Sequence, residues 1–440
     1  MLIERRRYQD IDIEVLRAEV EGLPVLIVPR PGFQRRYAAF STRYGGNDLE
    51  FVPRGGDRPL RTPSGIAHFL EHQLFDHPEG SVLQRLSALG ASPNAYTSST
   101  ATVYYVSAVD GFQEALDILL DFVQEPGFSE SGVAKERGII EQEIRIYEDY
   151  PQVRVYEDLM AALYQQHPVR VPVIGTVEDI RRITPDLLHT CHRTFYHPAN
   201  MLLAVIGDVD ADAVLDQVAR DLAGRRYGPA GPIQRLYPHE PPTAAQRGTR
   251  RALPTSEAYA AVGIKLAPPV WSGDETEAHR LAAQRRVLLL QLALDALIGP
   301  VSAFFQRLYD EGVFTDAFGY QVDVQPGAAH LLVSGRTGQP DRFCAEVLGQ
   351  LCSAAASGFD PADFERVRRA RLGSFLSVLD NADALNGLLV RDRLLGFDFL
   401  RTADLLRGFD VADGASVLGE LTDQGRAAWA VVEPKGGEQP

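Results

Sequence analysis

The chain has 440 residues, of which 45% are hydrophobic and 23% are charged, and this composition favours folded domains over disorder. Its length exceeds the size at which a single hydrophobic core usually stops growing, so we expect at least two domains. The formal charge of −15 at pH 7 would repel nucleic acids and anionic membrane surfaces, and neither is expected as a partner.

The N-terminus and the cysteines indicate where the protein works. Residues 1–20 include a basic patch but no apolar stretch typical of a signal peptide, and no run of about 18 apolar residues occurs in the chain. The three cysteines are odd in number and form no C-x-x-C pair, which favours free thiols in a reducing compartment. We therefore expect a soluble, cytoplasmic protein.

Strand-like and helix-like patterns alternate in the first half. Apolar runs and alternating patterns predict strands at "LPVLIVPR", "RYAAFSTRYG", "ATVYYVSAV" and "NMLLAVIGDV". Apolar residues at helical spacing predict helices at "GFQEALDILLDFVQ" and "SGVAKERGIIEQEIRIYED". This alternation predicts an α+β domain over residues 1–222.

The segment "HFLEH" contains two histidines and a glutamate at a distinctive spacing. His68 and His72 are four residues apart, so on a helix their imidazoles project from one face and can reach the same ion. Glu71 lies beside them and can face a metal-bound water without being a ligand. This H-x-x-E-H pattern is the arrangement of inverted zinc proteases, in which zinc lowers the pKa of its water to about 7 and the glutamate accepts the proton.

A simpler interpretation is a helix whose two histidines are ordinary core or surface residues. In a chain with this histidine content, H-x-x-E-H is expected by chance on the order of 0.02 times, so the pattern is fairly specific. Zinc in hydrolases has three protein ligands and one open position. The choice between the two interpretations therefore depends on a third ligand elsewhere in the chain.

Glu136 and Glu143, in "KERGIIEQEIRIYED", are the candidates for that ligand. They are seven residues apart on a predicted helix, so their side chains project within about 20° of each other. The same stripe is predicted to contain Ile139, Ile140, Ile144 and Tyr147. Carboxylates on an apolar face need a metal or another cation. We assign Glu143 as the third ligand and Glu136 as the acceptor of a hydrogen bond from a ligating histidine.

A proline-rich segment divides the chain. Prolines crowd residues 223–254 at a density that blocks helices and central strands, so we interpret this segment as an interdomain linker. Residues 255–440 again alternate strand patterns, such as "AYAAVGIKLA" and "AAHLLVSGRT", with apolar helices. The second half is therefore predicted to be another α+β domain.

The two halves also share local features. Each contains a Gly-Phe pair before a capped helix, and each ends in an apolar strand, "AVIGD" or "AVVEP". These similarities indicate a diverged duplication, and two unrelated α+β domains are the alternative. Aligning the Gly-Phe pairs places Val367 opposite Glu136 and Ser374 opposite Glu143, so the second half lacks the candidate carboxylates.

Together these residues give the chain a family resemblance. "HFLEH", the Glu-x6-Glu pair about seventy residues later, and "FYHPANMLLAVIGDVD" after it resemble the insulinase/pitrilysin peptidases, which include the mitochondrial processing peptidases. The likeness covers nearly the whole chain, including the tandem halves and the linker. It implies two homologous α/β sandwich domains in tandem, which form half of a hollow clamshell.

The resemblance also implies the roles of the site residues. His68, His72 and Glu143 would be zinc ligands, Glu71 the general base, and Glu136 a supporting carboxylate. The second half would be a degenerate copy without zinc ligands.

The segment "SPNAYTSSTATVYYVSAV" matches a further element of the family. The resemblance implies that Asn94, Ala95 and Tyr96 lie on a strand at the cavity edge that pairs with the substrate backbone. Strand addition of this kind depends on backbone shape and little on sequence. An ordinary half-buried strand is the alternative for Tyr96 and Thr97.

One element departs from the family pattern. Active single-chain members have an Arg and a Tyr in the second half, in a segment like R-x-x-x-G-L-A-Y, that hold the substrate and the oxyanion. Here "FFQRLYDEGVFTDAFGY" places Leu308 at the Arg position and Thr315 at the Tyr position, and Arg307 and Tyr320 are out of register. Loss of an oxyanion donor typically lowers the rate about a hundredfold or more. The resemblance therefore implies a homologous partner subunit that carries the Arg/Tyr pair.

The leading hypothesis is a zinc endopeptidase subunit that hydrolyses peptides or unfolded segments inside a closed chamber, as a heterodimer with that homologous subunit. One alternative is a non-catalytic scaffold or peptide-binding subunit of the same fold. Another is a homodimer that hydrolyses peptides by itself.

Overall fold

The computed structural model describes residues 2–77, 80–228, 231–269, 276–315 and 317–435. The strands in chain order are β1 (Leu2–Tyr8), β2 (Ile13–Val20), β3 (Leu23–Pro29), β4 (Arg36–Thr42), β5 (Glu50–Val52), β6 (Leu60–Arg61), β7 (Asp76–His77), β8 (Gly80–Ser81), β9 (Ser92–Thr97), β10 (Thr102–Ala108), β11 (Met201–Gly207), β12 (Gln234–Arg235), β13 (Gly248–Leu253), β14 (Ala258–Lys265), β15 (Gly319–Gln325), β16 (Ala328–Thr337) and β17 (Ala427–Pro434).

The helices in chain order are α1 (Ile66–Phe75), α2 (Val82–Ala88), α3 (Phe112–Gln124), α4 (Glu130–Glu148), α5 (Pro151–Leu163), α6 (Val177–Ile180), α7 (Pro185–Phe195), α8 (Ala211–Ala223), α9 (Glu277–Ile298), α10 (Ala303–Asp310), α11 (Pro340–Ser357), α12 (Pro361–Leu379), α13 (Ala382–Leu394), α14 (Thr402–Gly408) and α15 (Val411–Ala415). Helices and sheets occur in both halves, so the predicted α+β class is confirmed.

The chain divides into two compact units, and each is assembled from three segments. Unit 1 comprises Met1–Ile144, Pro172–Leu236 and Leu376–Leu400. Unit 2 comprises Arg145–Val171, Tyr237–Phe375 and Arg401–Pro440. These units differ from the sequential domains predicted at 1–222 and 255–440. The reason is that each unit contains one helix from the other half of the chain.

Unit 1 is built on a seven-stranded sheet with the order β1-β2-β3-β11-β4-β10-β9. β11 is parallel to β3, and the other neighbouring pairs are antiparallel. Helices α1, α3 and α8 pack against this sheet and enclose the hydrophobic core. β11 is buried along its whole length, which requires cover on both faces, and α13 contacts β4 and β11. β9 lies at an edge of the sheet.

Unit 2 is built on a five-stranded sheet with the order β13-β17-β14-β16-β15. β13 is parallel to β17, and the other neighbouring pairs are antiparallel. This arrangement repeats, strand for strand, the order and direction of β3-β11-β4-β10-β9 in unit 1. α5 contacts β14 and β17, the strands that correspond to those contacted by α13. The repetition supports the predicted duplication over two unrelated domains.

The predicted linker, residues 223–254, contains more regular structure than expected. β12 pairs with β5 in unit 1, and β13 pairs with β17 in unit 2. No strand pattern is visible in "GTRRAL", because β13 is an edge strand with exposed charged side chains. Gly248 starts this strand where a Cβ would lie 2.1 Å from the indole of Trp429.

Two further expectations concern the whole chain. Among the described residues, no helix by itself has the length and apolar character needed to cross a membrane. The α9 and α10 pair meets those criteria only jointly, with a 45° bend between them. The three cysteines are free, as predicted.

Candidate metal centre

Helix α1, which carries "HFLEH", begins at a constrained glycine. Gly65 has φ +83°, and a Cβ there would lie 2.4 Å from the carbonyl oxygen of Ile174, so a larger residue does not fit. The core-facing residues of α1 include Ile66, Phe69 and Leu70. With that face anchored in the core, His68 and His72 project together, and their side chains are 14% and 26% exposed.

Two imidazoles and one carboxylate converge at this face. The ring centroids of His68 and His72 are 4.5 Å apart. Glu143 Oε2 lies 3.9 Å from His68 Nε2 and 3.7 Å from His72 Nε2. Atoms bound tetrahedrally to zinc at about 2.0–2.2 Å are themselves about 3.4 Å apart. The structure thus brings the three predicted ligands together at separations that a small side-chain adjustment would fit to one ion.

The pKa values of the two histidines are shifted in opposite directions. Burial, together with the charge of His72, lowers the pKa of His68 to about 3, so this imidazole is neutral at pH 7. Burial also lowers the pKa of His72, but the hydrogen bond and charge of Glu136, with the charges of Glu71 and Glu143, outweigh it and raise that pKa. A cation bound between these carboxylates would replace the proton on His72.

Glu136 orients one of the two imidazoles. His72 Nδ1 donates a hydrogen bond of 2.8 Å to Glu136 Oε1, so Nε2 is the nitrogen directed toward Glu143. His68 differs, because its Nδ1 is buried without a hydrogen-bond partner among the described residues. Glu136 therefore has the position predicted for a carboxylate behind a ligating histidine.

Helix α4 places its two glutamates at different depths. Glu136 is 7% exposed, whereas the side chain of Glu143 is 28% exposed, at the border between core and solvent. The other buried residues of α4 are Val133, Ile140 and Ile144. Ile139 and Tyr147 are 45% and 38% exposed, so their predicted place in the buried stripe is wrong. Ile139 projects about 100° away from its neighbour Ile140, and Tyr147 lies in the last turn of α4.

Glu71 is held separately from the three converging residues. It is 7% exposed, and its Oε2 accepts a hydrogen bond of 2.5 Å from Thr97 Oγ1. Burial raises the pKa of Glu71 and outweighs the opposing effects of the Thr97 hydroxyl and of His72. A raised pKa is common among carboxylates that act as general bases.

Thr97 is the contact that sequence reasoning missed. Alternation along "NAYT" could have revealed it, because every second residue of a strand faces the same side. Ala95 packs against the core that includes α1, and Thr97 follows it on that side. Asn94 and Tyr96 therefore face the other side of the sheet, and Tyr96 is 41% exposed.

The predicted substrate strand, β9, has a free edge. β9 pairs with β10, and no other described strand lies beside it in the sheet. The backbone N–H of Ala95 donates to Oδ1 of Asn94 at 2.8 Å, so this amide is directed away from β10. An edge strand with an outward amide can pair with an added peptide.

The residues at and near the Arg and Tyr positions of the family lie in the second half of the chain. Leu308 is fully buried, and Arg336 Nε donates to Thr315 Oγ1 at 3.3 Å. Arg307 forms an ion pair of 2.8 Å with Glu346. The hydroxyl of Tyr320 donates a hydrogen bond of 2.8 Å to Oδ1 of Asp295. Arg307 and Tyr320 are therefore engaged within unit 2.

Comparison with known proteins identifies the family. Residues 61–177 match the family model described as insulinase (peptidase family M16). Residues 182–371 match the model described as peptidase M16 inactive domain. The second description is consistent with a second repeat that lacks the candidate ligands.

Relatives and solved structures extend this match to the whole chain. The uncharacterized zinc protease YmfH of Bacillus subtilis is 35% identical over 414 residues, which cover 94% of this chain and 95% of the relative. A probable mitochondrial-processing peptidase subunit beta of Arabidopsis thaliana is 31% identical over 36% of this chain and 30% of its own length. The crystal structure of a putative M16-like peptidase from Alicyclobacillus acidocaldarius superposes with a TM-score of 0.89 at 33% identity, covering 99% of both chains. The predicted family is confirmed, and the chain belongs to peptidase family M16, the insulinase family.

Proposed function

We propose that this chain is the zinc-binding, catalytic subunit of an endopeptidase that hydrolyses peptides or unfolded segments inside a closed chamber. The observation that carries the proposal is the convergence of His68 and His72 on Glu143, at 3.9 and 3.7 Å, with Glu71 beside them. The naming of relatives as zinc proteases supports zinc as the cofactor. The free cysteines favour a reducing, cytoplasmic location.

The five residues of the proposed site have separate roles. His68, His72 and Glu143 would hold zinc, which when bound supplies a Lewis acid for the peptide carbonyl and makes water more acidic. Glu71 takes a proton from the attacking water and returns it to the leaving amine. Glu136 holds the imidazole of His72 in one tautomer and orientation.

The edge of β9 would bind the substrate as an added strand. Ala95 offers an outward amide, and a substrate carbonyl would replace the side chain of Asn94 as its acceptor. Tyr96 offers a partly exposed ring on the face of the sheet away from α1. This mode of binding depends on an extended backbone, which unfolded segments and peptides provide.

A homologous partner would complete the site. Arg307 and Tyr320, the residues nearest in sequence to the Arg/Tyr positions, are already engaged with Glu346 and Asp295. Because the oxyanion needs a hydrogen-bond donor and this chain has no Arg/Tyr pair in the family register, we propose a heterodimer in which the partner supplies that pair. A homodimer that uses other donors is the second candidate.

A scaffold or peptide-binding subunit is the candidate from another functional class. Such a subunit has no need to keep Glu136 buried beside His72, since a buried carboxylate is costly without a cation or hydrogen bonds. The arrangement of all five residues therefore favours the enzyme.

The test measures zinc and hydrolysis in the same protein. We expect about one zinc ion per chain after purification without chelators. Glu71→Gln should keep that zinc and lose hydrolysis of a quenched fluorescent peptide by about a hundredfold or more. The control is Glu148→Gln, an exposed glutamate of α4, with unchanged activity. A protein that binds no zinc would overturn the proposal.

The partner is tested by mixing. Addition of a homologue that carries the Arg/Tyr pair should raise hydrolysis well above that of either chain alone. Equal activity of this chain alone and of the mixture would contradict the heterodimer and favour the homodimer.

A further inference from the structure

We propose that Thr97 is a positioning residue that links the substrate-binding strand to the general base. The inference rests on the proposed function, since it assigns Glu71 as base and β9 as the substrate strand. Thr97 is the last residue of β9, and its hydroxyl reaches Glu71 on α1. One side chain thereby joins the two elements between which the peptide bond must be placed.

The direction of this hydrogen bond fixes which oxygen of Glu71 does the chemistry. An ionised carboxylate has no proton to give, so Thr97 donates and Oε2 accepts, at 2.5 Å. Among the described residues, no side chain is hydrogen-bonded to Oε1. Thr97 therefore holds one oxygen of the base, and the other oxygen is the one available to take a proton.

Thr97 is itself held in place by its neighbours. Its backbone pairs in register with Thr102 on β10, and the hydroxyl of Thr102 donates to the carbonyl oxygen of Tyr44 at 2.9 Å. The hydroxyl oxygens of Thr97 and Thr102 are 3.4 Å apart, whereas Glu71 Oε2 is 2.5 Å from Thr97 Oγ1, so the single proton of the Thr97 hydroxyl goes to the carboxylate. Because side chains alternate along a strand, Thr97 faces the same side of β9 as Ala95, which packs against the core that includes α1. The geometry gives the Thr97 hydroxyl one strong acceptor, Glu71.

Coupling to the substrate follows from the position of Thr97 in the strand. A peptide added to the β9 edge would pair with the residues that precede Thr97, and its backbone would fix their orientation. The same strand then sets the distance between the bound peptide and the carboxylate of Glu71. The rate of the chemical step depends strongly on placing the reacting groups to within a few tenths of an ångström. Thr97 is thus expected to act on kcat rather than on KM.

The experiment compares three variants in the zinc-loaded protein, with its partner if one is required. Thr97→Val keeps the shape of the side chain and removes the hydroxyl, and kcat should fall about tenfold or more with KM within about twofold. Thr97→Ser keeps the hydroxyl and should restore kcat to within about threefold of the wild type. Thr100→Val removes the hydroxyl of a threonine in the following turn, and its kcat and zinc content should match the wild type.

A second measurement does not depend on activity. In crystal structures of the zinc-loaded variants, the Glu71 carboxylate should occupy one position in the wild type and in Thr97→Ser, but more than one in Thr97→Val. Wild-type kcat in Thr97→Val, a raised KM with unchanged kcat, or an unmoved Glu71 would overturn the inference. If the wild type binds zinc but hydrolyses no peptide, the proposed function fails, and the position of Glu71 in the variants still decides the role of Thr97.

Discussion

Helices α4 and α12 occupy corresponding places in the two repeats, but they present different chemistry. Both have 19 residues, and the boundary between the units falls after the fifteenth residue of each, at Ile144 and Phe375. The seventh residue is Glu136 in α4 and Val367 in α12, and both are buried, at 7% and 4% exposure. The fold therefore accepts an apolar residue at this position.

The comparison indicates that folding does not require a buried carboxylate at this position, which supports the role proposed for Glu136. A charged group in a core position is costly unless it is paired, and Val367 shows that a valine packs there. At the fourteenth position Glu143 is partly buried beside the histidines, whereas Ser374 is exposed. One repeat has the proposed metal ligands, and the other has the same architecture without these carboxylates.

The largest difference between the two helices is expected when the side chain of the fourteenth residue of each is replaced by that of alanine. Glu143→Ala should reduce zinc from about one ion per chain to near zero, and should lower peptide hydrolysis by roughly a thousandfold, because two histidines alone are an incomplete site. Ser374→Ala, at the matching position of α12, should change neither. Metal analysis and a peptide assay measure both. Normal zinc in Glu143→Ala would show that another residue is the third ligand.

Substitution of the seventh residue of α4 should have a smaller effect. Glu136→Gln keeps the shape of the side chain and weakens the hydrogen bond to His72 Nδ1, so zinc affinity should fall about ten- to a hundredfold. The matched change in α12 is Val367→Ala, which should leave zinc affinity unchanged. Competition with a chelator of known affinity measures the difference. Unchanged affinity in Glu136→Gln would mean that Glu136 only neutralises His72.

The core strands and the candidate metal-site residues could largely be recognised from the sequence. Core strands such as β11 are short continuous apolar runs bounded by turn-forming residues, and this combination favours a strand over a buried helix. Glu136 and Glu143 stand out because a carboxylate at the helical spacing of buried isoleucines contradicts the usual pattern. These signals are local, and each needs only a few neighbouring residues to be recognised.

The features that the sequence did not reveal depend on distant partners. Nothing in the sequence pattern of α5 or α13 specifies that each helix packs in the unit of the other half. β13 has exposed arginines and is recognisable as a strand only through its pairing with β17. The role of Thr97 likewise depends on Glu71, which is 26 residues earlier in the chain.

Each unit also contains a buried neutral histidine. We expect both histidines to make the stability of the fold sensitive to acid. Burial lowers the pKa of His192 in unit 1 to about 4, although its hydrogen bond to the carbonyl oxygen of Val123 opposes the shift. Burial lowers the pKa of His167 in unit 2 to about 4, although its hydrogen bond to the carbonyl oxygen of Pro326 opposes the shift.

The sign of this effect follows from proton binding. The unfolded chain binds a proton at each histidine below about pH 6.5, and the folded chain does so only below about pH 4, so stability falls as the pH is lowered between these values. From pH 7.5 to pH 5 the loss should be on the order of 2 kcal/mol for each histidine. Urea unfolding with zinc removed measures it. His192→Gln and His167→Gln should each reduce the pH dependence by about that amount, and an unchanged dependence would contradict the assignment.

The smallest predicted effect distinguishes the edge strands. Ala95→Pro removes the outward amide of β9 without removing a bond to β10, and proline is tolerated at such positions. Peptides that add to this edge would lose one backbone hydrogen bond, so KM should rise about threefold to tenfold while kcat stays nearly constant. Ala95→Ser keeps the amide and is the matched control. The corresponding edge strand of unit 2, β15, is not required for this effect, because the proposed base is hydrogen-bonded to β9 through Thr97. A Michaelis–Menten comparison therefore locates the substrate strand: an unchanged KM in Ala95→Pro would place the bound peptide elsewhere.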